Sequence, residues 1–181
     1  SDEATTLSVD GGGNAYITGT SYGSGSTYPI TAGAWSNTSS YPYLAFITKI
    51  NPAGNGLIYS TFLPIGSYNI FNATVDKNGC LYFVEGRAAL PVTSGAYDAT
   101  NILTVGDVKN VIKLNAAGSA PIFVSKVNAG WDPSIAVDQQ GAIYLGSYVG
   151  TWGYITTLPQ QQLTSVPGSL VTKLSSDGAN L

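Results

Sequence analysis

Short apolar segments separated by polar turns recur along this chain, and two short motifs mark them. The first motif is a Val-Asp pair that ends one apolar segment; a glycine-containing turn follows, and a tyrosine opens the next segment. Its aspartates are Asp10, Asp76 and Asp138, spaced 66 and 62 residues apart. The second motif carries Lys49, Lys113 and Lys173, spaced 64 and 60 residues apart. Two independent motifs that keep nearly one period define an internal repeat.

Each repeat has the pattern of an antiparallel β-meander. In the first repeat, residues 4–9 and 15–20 are predicted to form a hairpin, because glycine tolerates the positive φ of the turn between them and aspartate bonds back to its amides. Residues 44–50 and 56–63 are predicted as the third and fourth strands. The corresponding predictions are 70–75, 81–84, 110–114 and 121–127 in the second repeat, and 135–137, 143–148 and 170–174 in the third. The third repeat therefore has no predicted fourth strand.

Four-stranded antiparallel units at a constant period are typical of β-propeller blades. The period is longer than the roughly 40–50 residues of common propeller repeats, and the long segment between the second and third strands accounts for the excess. We predict an all-β fold in which residues 1–181 form one β-propeller region, a fragment of about three four-stranded antiparallel blades. The blades cover approximately residues 4–66, 67–130 and 131–181, the last lacking its outer strand. A propeller needs about 4–8 blades, so we expect the remaining blades of the same chain, or else copies of itself, to complete the ring.

Composition narrows the class of protein further. The chain is 44% hydrophobic with a net charge of −3, whereas disordered chains combine low hydrophobicity with high net charge. Seven Lys and Arg residues argue against nucleic-acid partners, and no apolar run approaches the roughly 20 residues of a membrane helix. The single cysteine, Cys80, is predicted to be a small core residue. Without methionine and with Ser1 just ahead of a repeat motif, the chain is expected to be an internal piece of a longer one.

Several motifs together resemble a known bacterial repeat. They are the phrase Val-Asp-x-x-Gly-x-x-Tyr, the phrase Thr-Lys-Ile-Asn-Pro-x-Gly at 48–54, and the segments 58–63 and 1–4. This combination looks like the SBBP-type β-propeller repeat, over essentially the whole chain, with departures at 85–87 and 146–148. The resemblance implies large secreted or cell-surface bacterial proteins and a propeller architecture. It implies no catalytic motif shared by the family.

Little in the composition points to a reaction. The chain has no histidine and one cysteine, which excludes histidine-based triads and the usual zinc sites. Asp10, Asp76 and Asp138 are predicted to be structural turn residues. Calcium at these turns stays the weaker alternative, because one carboxylate per turn is fewer than calcium loops provide. We therefore expect no cofactor. The remaining carboxylates are Asp2, Glu3, Glu85, Asp98, Asp107 and Asp132. Because glycosidase pairs are defined in space, a propeller carbohydrate-active enzyme stays open as the alternative, with Glu85 and Asp107 as its test residues.

Aromatic residues in or beside the loops provide the candidate binding surface. The candidates for binding a partner or a glycan are Tyr28, Trp35, Tyr41 and Tyr43. Further loop aromatics are Tyr22, Trp131, Trp152 and Tyr154. Tyrosine and tryptophan supply much of the energy at interfaces, although any one of them alone is expected to pack over a blade edge. The sequence thus predicts a non-catalytic structural, adhesive or binding module of a larger secreted or cell-surface bacterial protein, with a surface glycan or protein as ligand and no membrane insertion.

Overall fold

The computed structural model describes residues 1–23, 27–38, 40–67, 70–86, 90–99, 108–148 and 169–181. Over these residues the chain forms β-strands and no α-helix. The strands are β1 Asp2–Val9, β2 Ala15–Tyr22, β3 Tyr43–Ile50, β4 Leu57–Phe62, β5 Ile70–Val75, β6 Leu81–Glu85, β7 Val108–Leu114, β8 Pro121–Asn128, β9 Trp131–Val137, β10 Ile143–Tyr148 and β11 Leu170–Leu174. None of the described residues belongs to a helix long and apolar enough to span a membrane.

The strands form three antiparallel sheets, ordered β1-β2-β3-β4, β5-β6-β7-β8 and β9-β10-β11. The prediction of an all-β fold made of antiparallel meanders is therefore confirmed, with four strands in the first two sheets and three in the third. The first strands of the first and third sheets begin earlier than predicted: β1 at Asp2 and β9 at Trp131. In both hairpins the pairing continues past a bulge, where Asp2 pairs with Ser21 and Trp131 pairs with Tyr148. A bulge interrupts the alternation of apolar and polar residues from which the strand bounds were predicted.

The sheets pack face to face in chain order. We call the face of each sheet that points to the preceding repeat its upstream face, and the opposite one its downstream face. The downstream face of the first sheet and the upstream face of the second share a core that includes Tyr16, Ile47, Tyr59, Phe83 and Ile112. The next core, between the second and third sheets, includes Tyr82, Val111, Phe123, Ile143 and Leu145. Strands of the middle sheet are buried on both faces, which explains their continuous apolar runs.

Contacts between neighbouring sheets are concentrated at their first strands. β1 packs beside β5, and β5 packs beside β9. Side chains also bridge these inner strands, since Ser8 Oγ donates a hydrogen bond of 2.8 Å to the carbonyl oxygen of Ala73. The first strand of every repeat therefore lies on the inner side of the stack.

The loop between the second and third strands of a repeat runs along the outer strand. In the first repeat, the amide of Thr31 donates to the carbonyl of Ser60 on β4 at 3.1 Å, and the amide of Phe62 donates to the carbonyl of Ser36 at 3.0 Å. In the second repeat, the amide of Thr93 donates to the carbonyl of Val124 on β8 at 3.1 Å. These bonds satisfy backbone groups of the outer strand that would otherwise be unpaired at the sheet edge.

The same loops end by fastening one sheet to the next. The amide of Trp35 donates to the carbonyl of Gly118 at 3.2 Å, and that of Tyr97 donates to the carbonyl of Gly178 at 2.8 Å. Each glycine lies in the turn after the third strand of the following repeat and has a positive φ, 70° and 76° respectively. A Cβ on Gly118 would lie 2.5 Å from Cγ of Tyr59. Glycine is therefore required by both the turn and the close approach of the preceding sheet.

Candidate functional site

The repeated aspartates close the hairpin turns through the same set of hydrogen bonds. Oδ1 of Asp10 accepts from the amides of Gly12 and Asn14, both at 2.9 Å. Asp76 and Asp138 accept from the amides two and four residues further on at 2.9–3.0 Å. Aspartate suits this position because its short side chain bonds to amides of its own turn.

A tyrosine and a lysine complete a cluster around each aspartate. The hydroxyls of Tyr16, Tyr82 and Tyr144 donate to their aspartates at 3.0, 3.1 and 3.2 Å. The lysine ammonium groups lie 4.8, 4.9 and 5.1 Å from the ring centroids of these tyrosines. In the first two repeats the lysine is also within ion-pair distance of the aspartate, at 3.7 and 3.9 Å. The two sequence motifs that define the repeat therefore meet in one cluster.

The surroundings of Asp10, Tyr16 and Tyr82 favour a charged aspartate and neutral tyrosines. Burial by itself raises the pKa of Asp10, but hydrogen bonds from Asn14, Tyr16 and Gly12 outweigh it and lower that pKa to about 2. Burial and the hydrogen bond to Asp10 raise the pKa of Tyr16 well above its ordinary value. Burial and the Asp76 carboxylate do the same to the pKa of Tyr82. Asp10 is therefore charged and Tyr16 and Tyr82 are neutral through the neutral pH range, the states in which their hydrogen bonds brace the turns.

These turns offer few free ligands to a metal ion. Asp76 and Asp138 both line a cleft of about 450 Å³ between the second and third sheets, but their oxygens already accept the hydrogen bonds given above. Across the residues that the structure describes, no three carboxylate, cysteine or histidine groups gather into a possible metal site. The expectation that no cofactor is bound stays a prediction.

The four candidate aromatics separate into two groups. Tyr28 and Trp35 are half-buried. The Tyr28 ring stacks on Phe46 at a centroid distance of 4.1 Å and its hydroxyl shares a 2.8 Å hydrogen bond with Thr48. Trp35 packs against the core between the first and second sheets. Both residues are therefore used in packing within and between the sheets.

Tyr41 and Tyr43 are exposed and lie at one end of the first sheet, together with Tyr22. The three side chains are 41%, 45% and 38% exposed. The rings of Tyr22 and Tyr43, which are cross-strand partners, meet edge to face at 5.8 Å. The Tyr22 hydroxyl donates to Glu3 at 2.9 Å, and this hydrogen bond raises the pKa of Tyr22. We call Tyr22, Tyr41, Tyr43 and Glu3 the tyrosine cluster. Tyr22, Tyr43 and Glu3 contact one another, and the Tyr41 ring lies over Gly66 in the linker that follows β4.

The other aromatic candidates lie in the third repeat. Trp131 is 64% exposed at the start of β9 and pairs with Tyr148, which is 56% exposed at the end of β10. Trp152 and Tyr154 lie outside the described residues.

The carboxylates considered for catalysis are distributed over different sheets. Glu85 on β6 is completely buried; its carboxylate accepts hydrogen bonds from Ser67 at 2.5 Å and from Asn110 at 2.9 Å. Asp2 and Asp132 are exposed on β1 and β9. Asp107 lies outside the described residues. Glu85 thus acts as a polar bridge between the linker of the first two sheets and strand β7.

Cys80 is a buried free cysteine in the core between the second and third sheets. Burial raises the pKa of its thiol, which disfavours the nucleophilic thiolate.

Comparison with known proteins adds no identity to this chain: no protein-family model and no curated protein matches it.

Proposed function

We propose that the three sheets are consecutive blades of a β-propeller and that the chain is a non-catalytic structural and adhesive module of a larger secreted or cell-surface bacterial protein. The meander topology, the stacking through inner strands and the constant repeat period support the propeller. The resemblance of the repeat motifs to the SBBP-type repeat supports the bacterial origin and the location outside the cytoplasm.

The tyrosine cluster is the observation that carries the adhesive part of this proposal. Tyrosine has a large rigid ring and a polar hydroxyl, so it gains contact area on binding at a small cost in conformational entropy. Tyr41 and Tyr43 present such rings to solvent on the end of a rigid sheet. Glu3 adds a hydrogen-bond acceptor, since its carboxylate accepts from Tyr22, whose ring contacts Tyr43. A sugar ring, with one apolar face and a rim of hydroxyls, matches this combination of stacking surface and acceptor.

The state of the described carboxylates supports a module without catalysis. The three repeated aspartates are engaged in turn hydrogen bonds, and Glu85 is enclosed between Ser67 and Asn110. Glycoside hydrolysis requires two carboxyl groups that flank an accessible substrate bond, and these four are committed to structural contacts instead.

Adsorption to insoluble polysaccharides tests the proposal. The probes are chitin, cellulose and bacterial peptidoglycan, with bound and free protein separated by sedimentation. We expect the wild-type chain to adsorb to at least one of them, and the double variant Tyr41→Ala/Tyr43→Ala to bind about tenfold or more weakly, since interface tyrosines commonly contribute over 1 kcal/mol each. Tyr148→Ala, on the third sheet, is the matched control and should bind normally.

Three results would contradict the proposal. Equal adsorption by the wild type and the double variant would remove the tyrosine cluster from binding, and failure of the wild type to adsorb to any probe would remove the glycan. Release of soluble sugar during the incubation would show that the module is catalytic.

A further inference from the structure

The second and third sheets leave an open cleft between them at the end where their hairpin turns lie. Residues 75–78 and Lys113 line it from the second sheet, and residues 137–141 and Ser176 line it from the third. Its volume of about 450 Å³ is in the range of roughly 300–1,000 Å³ that is usual for sites binding small molecules. We call this space the inter-sheet cleft.

The same place between the first and second sheets is closed by direct contacts. The hydroxyl of Tyr16 donates a 3.3 Å hydrogen bond to the carbonyl of Gly79 in the turn of the second sheet. The ammonium of Lys49 is buried there and lies 3.5 Å from the point that a Cβ on Gly79 would occupy. The first sheet therefore meets the next hairpin turn without a gap.

The corresponding contacts are longer at the inter-sheet cleft. The hydroxyl of Tyr82 lies 4.0 Å from the point that a Cβ on Gly141 would occupy, against 3.2 Å for the equivalent pair in the closed groove. The ammonium of Lys113 is more than 4 Å from that point, and the residue is half-buried rather than buried. The hairpin turn of the third sheet thus stands further from the preceding sheet and leaves the lysine facing the cleft.

The charges that line the cleft favour an uncharged ligand. Two cationic side chains, Lys77 and Lys113, face two carboxylates, Asp76 and Asp138. The ammonium of Lys113 lies 3.9 Å from Oδ2 of Asp76, so these two charges largely offset each other. A small anion in the cleft would be repelled by the carboxylates, and a small cation by the lysines.

The hydrogen-bonding groups that remain for a ligand are side chains that both donate and accept. Asn78, Gln139 and Gln140 line the cleft with exposed amide side chains, and Ser176 adds a hydroxyl. An amide side chain has two donors and an acceptor, and the Lys113 ammonium adds further donors. Sugar hydroxyls also donate and accept, so a sugar is the uncharged ligand that matches this lining.

A peptide fits the cleft less well than a sugar. Extended peptides are recognised largely through hydrogen bonds to free main-chain groups, whereas here backbone amides of both turns already donate to the carboxylates of Asp76 and Asp138. Val75 and Val137 are half-buried and line the cleft as well. They provide an apolar surface for one face of a sugar ring.

We propose that the inter-sheet cleft binds a single unit of an uncharged sugar, whose hydroxyls bond to Asn78, Gln139, Gln140 and the Lys113 ammonium. This site is separate from the tyrosine cluster. Strand β2 follows the hairpin turn and ends at Tyr22, so the cluster lies at the opposite end of the sheets from the turns. The two sites therefore bind independently.

Nuclear magnetic resonance of the ¹⁵N-labelled full chain tests the proposal, with glucose, galactose and N-acetylglucosamine added separately. We expect at least one of them to shift the backbone amide signals of Asn78, Gln140 and Gly141 in a saturable way. The double variant Gln139→Ala/Gln140→Ala should bind about fivefold or more weakly, because it removes two hydrogen-bonding side chains at exposed positions. Asn37→Ala is the matched control, since it removes an exposed amide side chain from the first repeat and should leave the affinity unchanged.

The remaining probes define the results that would overturn the proposal. Absence of any shift at the two turns with all three sugars would overturn the site. Equal shifts there with sodium acetate or ammonium chloride would show that the cleft takes ions, and equal shifts with N-acetylglycinamide would show that it takes peptides. The variant Tyr41→Ala/Tyr43→Ala should keep the sugar shifts at the turns; their loss would overturn the separation of the two sites. Failure of the tyrosine cluster to adsorb polysaccharide is measured apart from these shifts, so either proposal can fail without the other.

Discussion

The turn glycines allow the strength of sheet stacking to be measured with an internal control. Gly118 and Gly54 occupy the same place in the turns of the second and first repeats, with φ values of 70° and 71°. A Cβ on Gly118 would press into the Tyr59 ring, whereas a Cβ on Gly54 would meet nothing within 4 Å. The substitutions Gly118→Ala and Gly54→Ala therefore impose the same backbone strain and differ only in the contact with the preceding sheet.

The expected magnitudes follow from these two contributions. Alanine at positive φ costs about 1–2 kcal/mol, which is the whole expected loss for Gly54→Ala. Gly118→Ala adds the cost of overpacking against a ring that is itself buried, about 1–3 kcal/mol. In a chain of this size, each kcal/mol lowers the melting temperature by about 2–4 °C, so the two variants should be clearly separated.

The measurement is equilibrium unfolding in urea, followed by tryptophan fluorescence, with thermal melting as a second method. Dilute protein keeps association out of the comparison. Equal losses for the two variants would show that the first and second sheets do not pack closely at Tyr59, and the account of the stacking given above would then be wrong.

Three further predictions concern the clusters and loops. Hydrogen bonds hold the folded pKa of Asp10 at about 2, below the ordinary value of 3.8. Its contribution to stability is therefore present above pH 4 and is lost as the pH falls through 2. Asp10→Asn should flatten this part of an acid-unfolding curve, and an unchanged curve would contradict the assignment. Tyr16 and Tyr82 stay neutral in the folded state because their pKa values are raised. The free energy of unfolding should therefore fall as the pH rises above 10, and the phenolate absorbance of these two residues should appear together with unfolding. Full ionisation of all tyrosines before unfolding would refute this. Trp35→Ala should cost about 1–3 kcal/mol, because it removes a half-buried ring that packs against the core between the first two sheets. Tyr41→Ala, at an exposed site, should change the free energy of unfolding by roughly 0.5 kcal/mol or less. Comparable losses in urea unfolding would show that the two side chains are not packed differently.

Local patterns were sufficient to predict the strands, because each depends on a few adjacent residues. The Val-Asp motif ends an apolar run, the glycine permits the turn, and the tyrosine begins the returning strand, as seen at Asp10 and Tyr16. The strand boundaries were missed mainly where a bulge interrupts the alternation, as in β9. An extended ladder beyond a bulge is set by pairing with the neighbouring strand, which the local pattern does not contain.

The clusters and the loop contacts could not be predicted because they depend on register between distant segments. Tyr16 and Lys49 are cross-strand partners, yet the loop between their strands differs in length among the repeats, so no fixed spacing reveals the pair. Likewise, each loop aromatic alone was expected to pack over a blade edge, but the sequence did not indicate that Tyr28 and Trp35 would do so while Tyr41 and Tyr43 stay exposed. Their burial follows from the hydrogen bonds that lay the loop along β4, and these involve backbone groups that carry no sequence signal.

The second sheet can pack against copies of itself, because its two faces carry both sides of the interface that joins neighbouring repeats. A duplicated second repeat inserted after itself would meet its own complementary surface on either side, with the same tyrosine, the same glycine turn and the same loop clamp. Chains of this design can therefore lengthen or shorten by whole repeats through gene duplication or loss, without any new contact having to evolve.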